Sequence, residues 1–214
     1  MKKVGIISPV LIIAFTSCLP AQFTQLELFS GLKKTDFTLL SGYAINNSNT
    51  LSITTLAFFQ KFREKEHQIF DEVGVQPTLF WNIGKSVAIG PSLYYNSFGG
   101  YSERLSAKFT LKSSKTLLVV IPTAAYSEKK DAGLAEIFAQ FQLHTPLSEK
   151  ISLWFNGQFL TVWDKFKAHS RSFQQLRLGL SYKGHQLGFG SDFDQYGPEP
   201  IQESSLGLYY RKTL

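Results

Sequence analysis

Apolar and polar residues alternate along this chain with a period of two, in stretch after stretch of about ten residues, and helical spacing is hard to find. After residue 22 the alternation predicts strands over 25–30, 36–45, 50–62, 73–83, 87–97 and 102–111. Six more follow at 116–126, 132–144, 151–163, 173–182, 186–196 and 204–214. Most have the length that a tilted strand needs to cross a bilayer, about nine to eleven residues.

The breaks between strands alternate in kind. Tight turns are expected at 46–49, 84–86, 112–115 and 183–185, with 144–150 slightly longer. The other set, 63–72, 98–101, 127–131, 164–172 and 197–203, is mostly larger. Short turns at one rim and longer loops at the other mark outer-membrane barrels, the short ones being periplasmic, and an even strand count puts both termini at the short-turn rim. On these features, from residue 25 onward, the chain resembles the bacterial outer-membrane β-barrel proteins, as a small porin-like barrel. The resemblance implies an all-β fold, a single antiparallel transmembrane β-barrel of about twelve strands. In the last strand Leu206, Leu208 and Tyr210 alternate on one face, as in that family. Leu214, where the family usually has an aromatic residue, and Lys212 on the same face depart from the pattern.

Alternation alone does not say which face meets lipid, because a soluble barrel buries its apolar face instead. One face carries Leu105, Ala107 and Phe109, then Ile137, Ala139 and Phe141, then Leu153, Phe155 and Phe159, then Leu176, Leu178 and Leu180. Apolar rows this dense on neighbouring strands favour lipid. The other face carries Glu27, Arg104, Lys108, Glu136, Arg177, Asp192, Asp194 and Arg211, which then line a lumen. Aromatic residues cluster near strand ends, as interfacial girdles do: Trp81, Phe109, Tyr182 and Tyr210 toward the periplasmic side, and Tyr95, Tyr126, Trp163, Phe173 and Tyr196 toward the outside. Pro77, Pro91 and Pro122 fit badly inside strands, where each removes a ladder donor. Pro77 and Pro91 are equidistant from Gly84, so a symmetric hairpin sets them face to face, at a bulge or kink.

Composition narrows the class. With 18% charged and 14% aromatic residues, the chain of 214 carries fewer charges than a typical soluble protein. A net charge of +6, with no basic patch alternating with stacking aromatics, argues against a nucleic-acid partner. Lys2-Lys3, an apolar run from Val4 to Phe15 and small or polar residues up to Ala21 have the order of a cleaved export signal, so residues 1–21 are expected to be removed and 22–214 to form one outer-membrane domain. A competing reading acylates Cys18, the one cysteine, although Phe15 is a poor match to a lipoprotein signal.

Candidate chemistry is sparse. His67, His144, His169 and His185 fall in expected turns or loops without ligand spacing, so neither a metal site nor another cofactor is expected. His169-Ser170-Arg171-Ser172 holds a serine and a histidine, but neighbours on one segment rarely align as nucleophile and base; no catalytic residue is assigned. Gly179, Gly184, Gly188 and Gly190 lack the strand-to-helix setting of a phosphate loop and are expected to permit barrel bending. The constellation that stands out is Arg177, Asp192, Asp194 and Arg211, from three consecutive strands, with Arg104, Lys108 and Glu136 sharing its parity. It is expected to be either a structural ionic plug or a constriction that selects solutes by charge. The expected partners are outer-membrane lipid, small solutes and other envelope proteins met through the outer loops. The functional classes left open are a structural or accessory barrel, a narrow channel, a lipid-modifying hydrolase and a soluble ligand-binding barrel.

Overall fold

The computed structural model describes residues 21–63 and 71–214. Cys18 and all but the last residue of the expected export segment lie outside the described residues, as does His67. The alternating stretches form twelve antiparallel strands: β1 (Ala21–Gly31), β2 (Lys34–Ala44), β3 (Leu51–Phe62), β4 (Glu72–Asn82), β5 (Val87–Asn96) and β6 (Gly100–Lys112), followed by β7 (Thr116–Ser127), β8 (Ala132–Pro146), β9 (Ile151–Asp164), β10 (Ala168–Tyr182), β11 (His185–Tyr196) and β12 (Ile201–Thr213). Each strand pairs with its sequence neighbours, and β1 pairs with β12, so the sheet closes on itself and leaves no open edge.

Closure divides the side chains into two environments. The outward rows Leu105 and Phe109, Leu178 and Leu180, and Leu206 and Leu208 are roughly half exposed. Exposed Leu, Ile, Val and Phe side chains this numerous exceed what a water-facing surface, with patches of a few hundred Å², tolerates. The inward positions hold Lys34, Asp36, Arg177, Asp192, Asp194 and Arg211, all buried. This is the reverse of a soluble barrel, and it sets that alternative aside. Trp81, Phe109, Tyr182, Tyr210, Tyr95 and Tyr126 are exposed on the outside near the strand ends. Two girdle assignments are corrected. Tyr196 is 6% exposed and meets Phe62 edge-on inside the barrel, and Phe173, paired with inward Asp194, shares its face.

The strands reach further than their apolar residues indicated. β9 runs to Asp164 and β10 starts at Ala168, so the break expected at 164–172 shrinks to 165–167. His144, His169 and His185, expected in turns or loops, lie in β8, β10 and β11. The proline expectation is also corrected. The β4–β5 hairpin keeps one register from Gly74↔Asn96 to Asn82↔Ala88, which sets Pro77 and Pro91 out of step rather than face to face, with no bulge between them. Pro77 pairs with Thr55 on β3, Pro91 with Leu105 on β6 and Pro122 with Ile137 on β8, each keeping one flanking ladder. The paired positions skip these prolines on the other side. In an antiparallel strand a residue's amide faces one neighbour only, so a proline interrupts one ladder and leaves the other whole.

Candidate functional site, a charged lumen

The lumen is built by parity: the buried charged residues occupy alternate inward positions on their strands, and closure brings distant strands within reach. Lys34 of β2 points toward β11, its Nζ 2.6 Å from Asp194 Oδ2, 3.0 Å from Asp192 Oδ2 and 3.2 Å from Asp36 Oδ2. Arg177 Nη1 donates to Asp192 Oδ1, and Arg177 Nε donates to Glu27 Oε1 at 2.9 Å. Glu27 Oε2 in turn accepts from Arg211 Nε at 2.7 Å. Asp192 is fully shielded, and Lys34, Arg177 and Arg211 are no more than 2% exposed. Ions buried this deeply are costly to desolvate, and only the closeness and number of their partners offset the cost.

Two further groups extend the chain of contacts. Arg171 of β10 ion-pairs with Glu72 of β4, and its Nη2 donates to Gln60 Oε1 at 2.8 Å. β4 and β10 are six strands apart around the ring, so this pair crosses the lumen from wall to wall. Arg104 Nη1 donates to Glu136 Oε2 at 3.0 Å and to Gln76 Oε1 at 3.3 Å, and its guanidinium lies 4.0 Å from the centre of the Tyr94 ring. Lys108 lies 4.2 Å over Phe80 and forms no ion pair among the described residues.

The structure thus brings Arg177, Asp192, Asp194 and Arg211 into one network, sets Arg104 with Glu136 in a second, and leaves Lys108 apart from both. The network's partners Lys34, Asp36, Glu72 and Arg171 were not singled out from the sequence. Lys34 and Asp36 stand two apart and share a face, which is a readable signal. Glu72 and Arg171 stand at the strand ends, in stretches too polar to show alternation.

An open space of about 640 Å³ lies beside this network. Gly99, Gly100, Lys130, Gly197 and Pro198, at the rim opposite the termini, surround its mouth, and Glu72, Arg104, Glu136 and Arg171 line it deeper in. A second space, among Glu27, Asn156, Gln175, Arg177 and Arg211, is too tight for a water molecule. Near the mouth, the register shift between His169 and Arg171 sets His169 Nε2 2.9 Å from Ser172 Oγ, an alignment not expected from the sequence. Ser172 Oγ donates to Thr161 Oγ1 at 2.9 Å, away from the ring, and His169 Nδ1 lies 2.6 Å from the Gly197 carbonyl oxygen rather than beside a carboxylate.

No protein-family model matches the sequence, and no curated protein matches it. Solved structures do match the fold. The chain is similar to the NanC porin, with a TM-score of 0.56 at 9% identity over 92% of this chain and 100% of that one. It is also similar to the KdgM porin, with a TM-score of 0.49 at 9% identity over 89% of this chain and 98% of that one. An outer membrane channel from Pseudomonas putida F1 gives 0.46 at 12% identity over 90% of this chain and 93% of that one.

Proposed function

We propose that this chain is exported, loses residues 1–21, and forms an outer-membrane barrel that admits small solutes through a narrow, charge-lined lumen. The observation that carries the reading is the 640 Å³ vestibule, which opens at the rim away from the termini and is lined by arginines and carboxylates. An apolar exterior around a charged interior supports the membrane location, and the shared fold with porins fits the transport role. Small solutes and membrane lipid are its partners in this reading, with envelope proteins meeting the connections at the vestibule rim.

Single-channel recording of the refolded protein in planar bilayers tests the reading. The expected result is small discrete conductance steps, with ion preference shifting toward cations in Arg104→Ala and toward anions in Glu136→Ala. A second reading, a plugged structural barrel, is favoured by the complete shielding of Asp192 and its neighbours. Absence of steps in a correctly folded wild-type protein would select it.

A further inference from the structure

The two rims carry their charges differently. At the vestibule rim cations meet carboxylates, as in Lys33 with Glu203 and Lys130 with Asp164. At the rim of the termini, the described connections and strand ends hold Lys85, Lys112, Lys115, Lys150, Lys183 and Lys212 against one acidic side chain, Glu149. None of these six lysines forms an ion pair among the described residues.

Three basic side chains of that rim converge on the outer surface. Lys183 and Gly184 both take positive φ, 49° and 76°, in the tight turn between β10 and β11. Over this turn Lys212 Nζ donates to the Lys183 carbonyl at 3.2 Å and stands 2.9 Å from His185 Nε2. His185 Nδ1 lies 2.7 Å from the Tyr210 hydroxyl, and Lys183 Nζ lies 5.4 Å over the Tyr182 ring. Two ammonium groups and an imidazole thus share a corner where, among the described residues, no carboxylate pairs with them. Beside the corner the outward surface is apolar: Leu187 pairs with Tyr210, Phe189 pairs with Leu208, and Leu187 and Phe189 are 63% and 73% exposed.

We propose that this corner, Lys183, His185 and Lys212 flanked by Tyr182 and Tyr210, binds the phosphate of an anionic phospholipid whose acyl chains lie along Leu187, Phe189 and Leu208. The site rests on the membrane reading of the barrel. Lysines reach the headgroup level while their stems stay against apolar surface, and tyrosines favour that same depth. The adjoining apolar row selects a lipid phosphate over a free one, since only a lipid supplies chains to cover it. A lysine near an anionic membrane surface strengthens association by about fivefold, an attraction that salt screens.

The test is electron spin resonance of the refolded full chain in phosphatidylcholine vesicles, comparing spin-labelled phosphatidylglycerol with spin-labelled phosphatidylcholine in the motionally restricted shell. Wild type should hold phosphatidylglycerol about threefold or more over phosphatidylcholine at low salt, and salt should weaken the preference. Lys183→Gln with Lys212→Gln should abolish it, while Lys129→Gln with Lys167→Gln at the far rim should keep it. No preference in wild type, or an unchanged preference in the first variant pair, overturns the site. Inorganic phosphate displacing the lipid better than chloride at equal ionic strength overturns the lipid assignment in favour of a free anion. Each sample is run on a gel with and without boiling; a wild type that never inserts as a boiling-sensitive barrel overturns the membrane reading itself, and this site with it.

Discussion

Arg177 holds two carboxylates at once, Glu27 and Asp192, while 2% exposed. Arg177→Ala therefore leaves both without that guanidinium in a desolvated interior, a loss on the order of 3–5 kcal/mol. Lys167, exposed in the connection after β9, is the control, and Lys167→Ala should change stability by no more than about 0.5 kcal/mol. Urea midpoints of the detergent-refolded proteins measure both, and equal shifts would mean that the network adds nothing to stability. The face that Arg177, Asp192, Asp194 and Arg211 occupy could be read from the sequence because apolar residues alternate with them: Leu176 and Leu178 flank Arg177, Phe193 separates Asp192 from Asp194, and Leu208 and Tyr210 precede Arg211. Which charges pair across the lumen could not. Arg171 and Glu72 are 99 residues apart, and only ring closure makes them meet.

Among the elements, the hairpin of β10 and β11 packs backbone against backbone at its glycines. Gly179 and Gly188 face each other across it, and a Cβ added at Gly188 would stand 2.1 Å from the Leu178 carbonyl oxygen and 2.4 Å from the Gly179 Cα. Both are backbone atoms, which cannot swing aside. Gly188→Ala should cost at least the 1–3 kcal/mol typical of overpacking, or prevent refolding, whereas Gly84→Ala, with nothing within 4 Å, should be neutral. Refolding yield on unboiled gels distinguishes them. The existence of twelve strands was legible because the two-residue period needs no tertiary information. Strand ends were less so, since β2 and β10 begin in polar residues that resemble loop. The prolines misled for a related reason: the β4–β5 turn centres one residue beyond Gly84, and symmetry about that glycine gave a false register.

As a whole, the closed ring predicts a boiling-sensitive protein. Unboiled samples should migrate differently from boiled ones, because a sheet without edges resists detergent until heat opens it. A protein that stays folded and monomeric with no detergent would contradict the apolar exterior. The joint where the ring closes, from Gln25↔Thr213 to Gly31↔Gly207, spans less of its strands than the β9–β10 ladder. Ion pairs reinforce it from inside: Glu27 on β1 holds Arg211 on β12, and Lys34 on β2 reaches past the joint to Asp192 and Asp194 on β11. A slip of one residue at the joint would turn every side chain of the slipped strand to its opposite face. Glu27 or Arg211 would then point into hydrocarbon, at a cost of several kcal/mol. The ionic network thus discriminates against a wrong closure, since chain ends that meet in the wrong register leave a charge stranded in lipid.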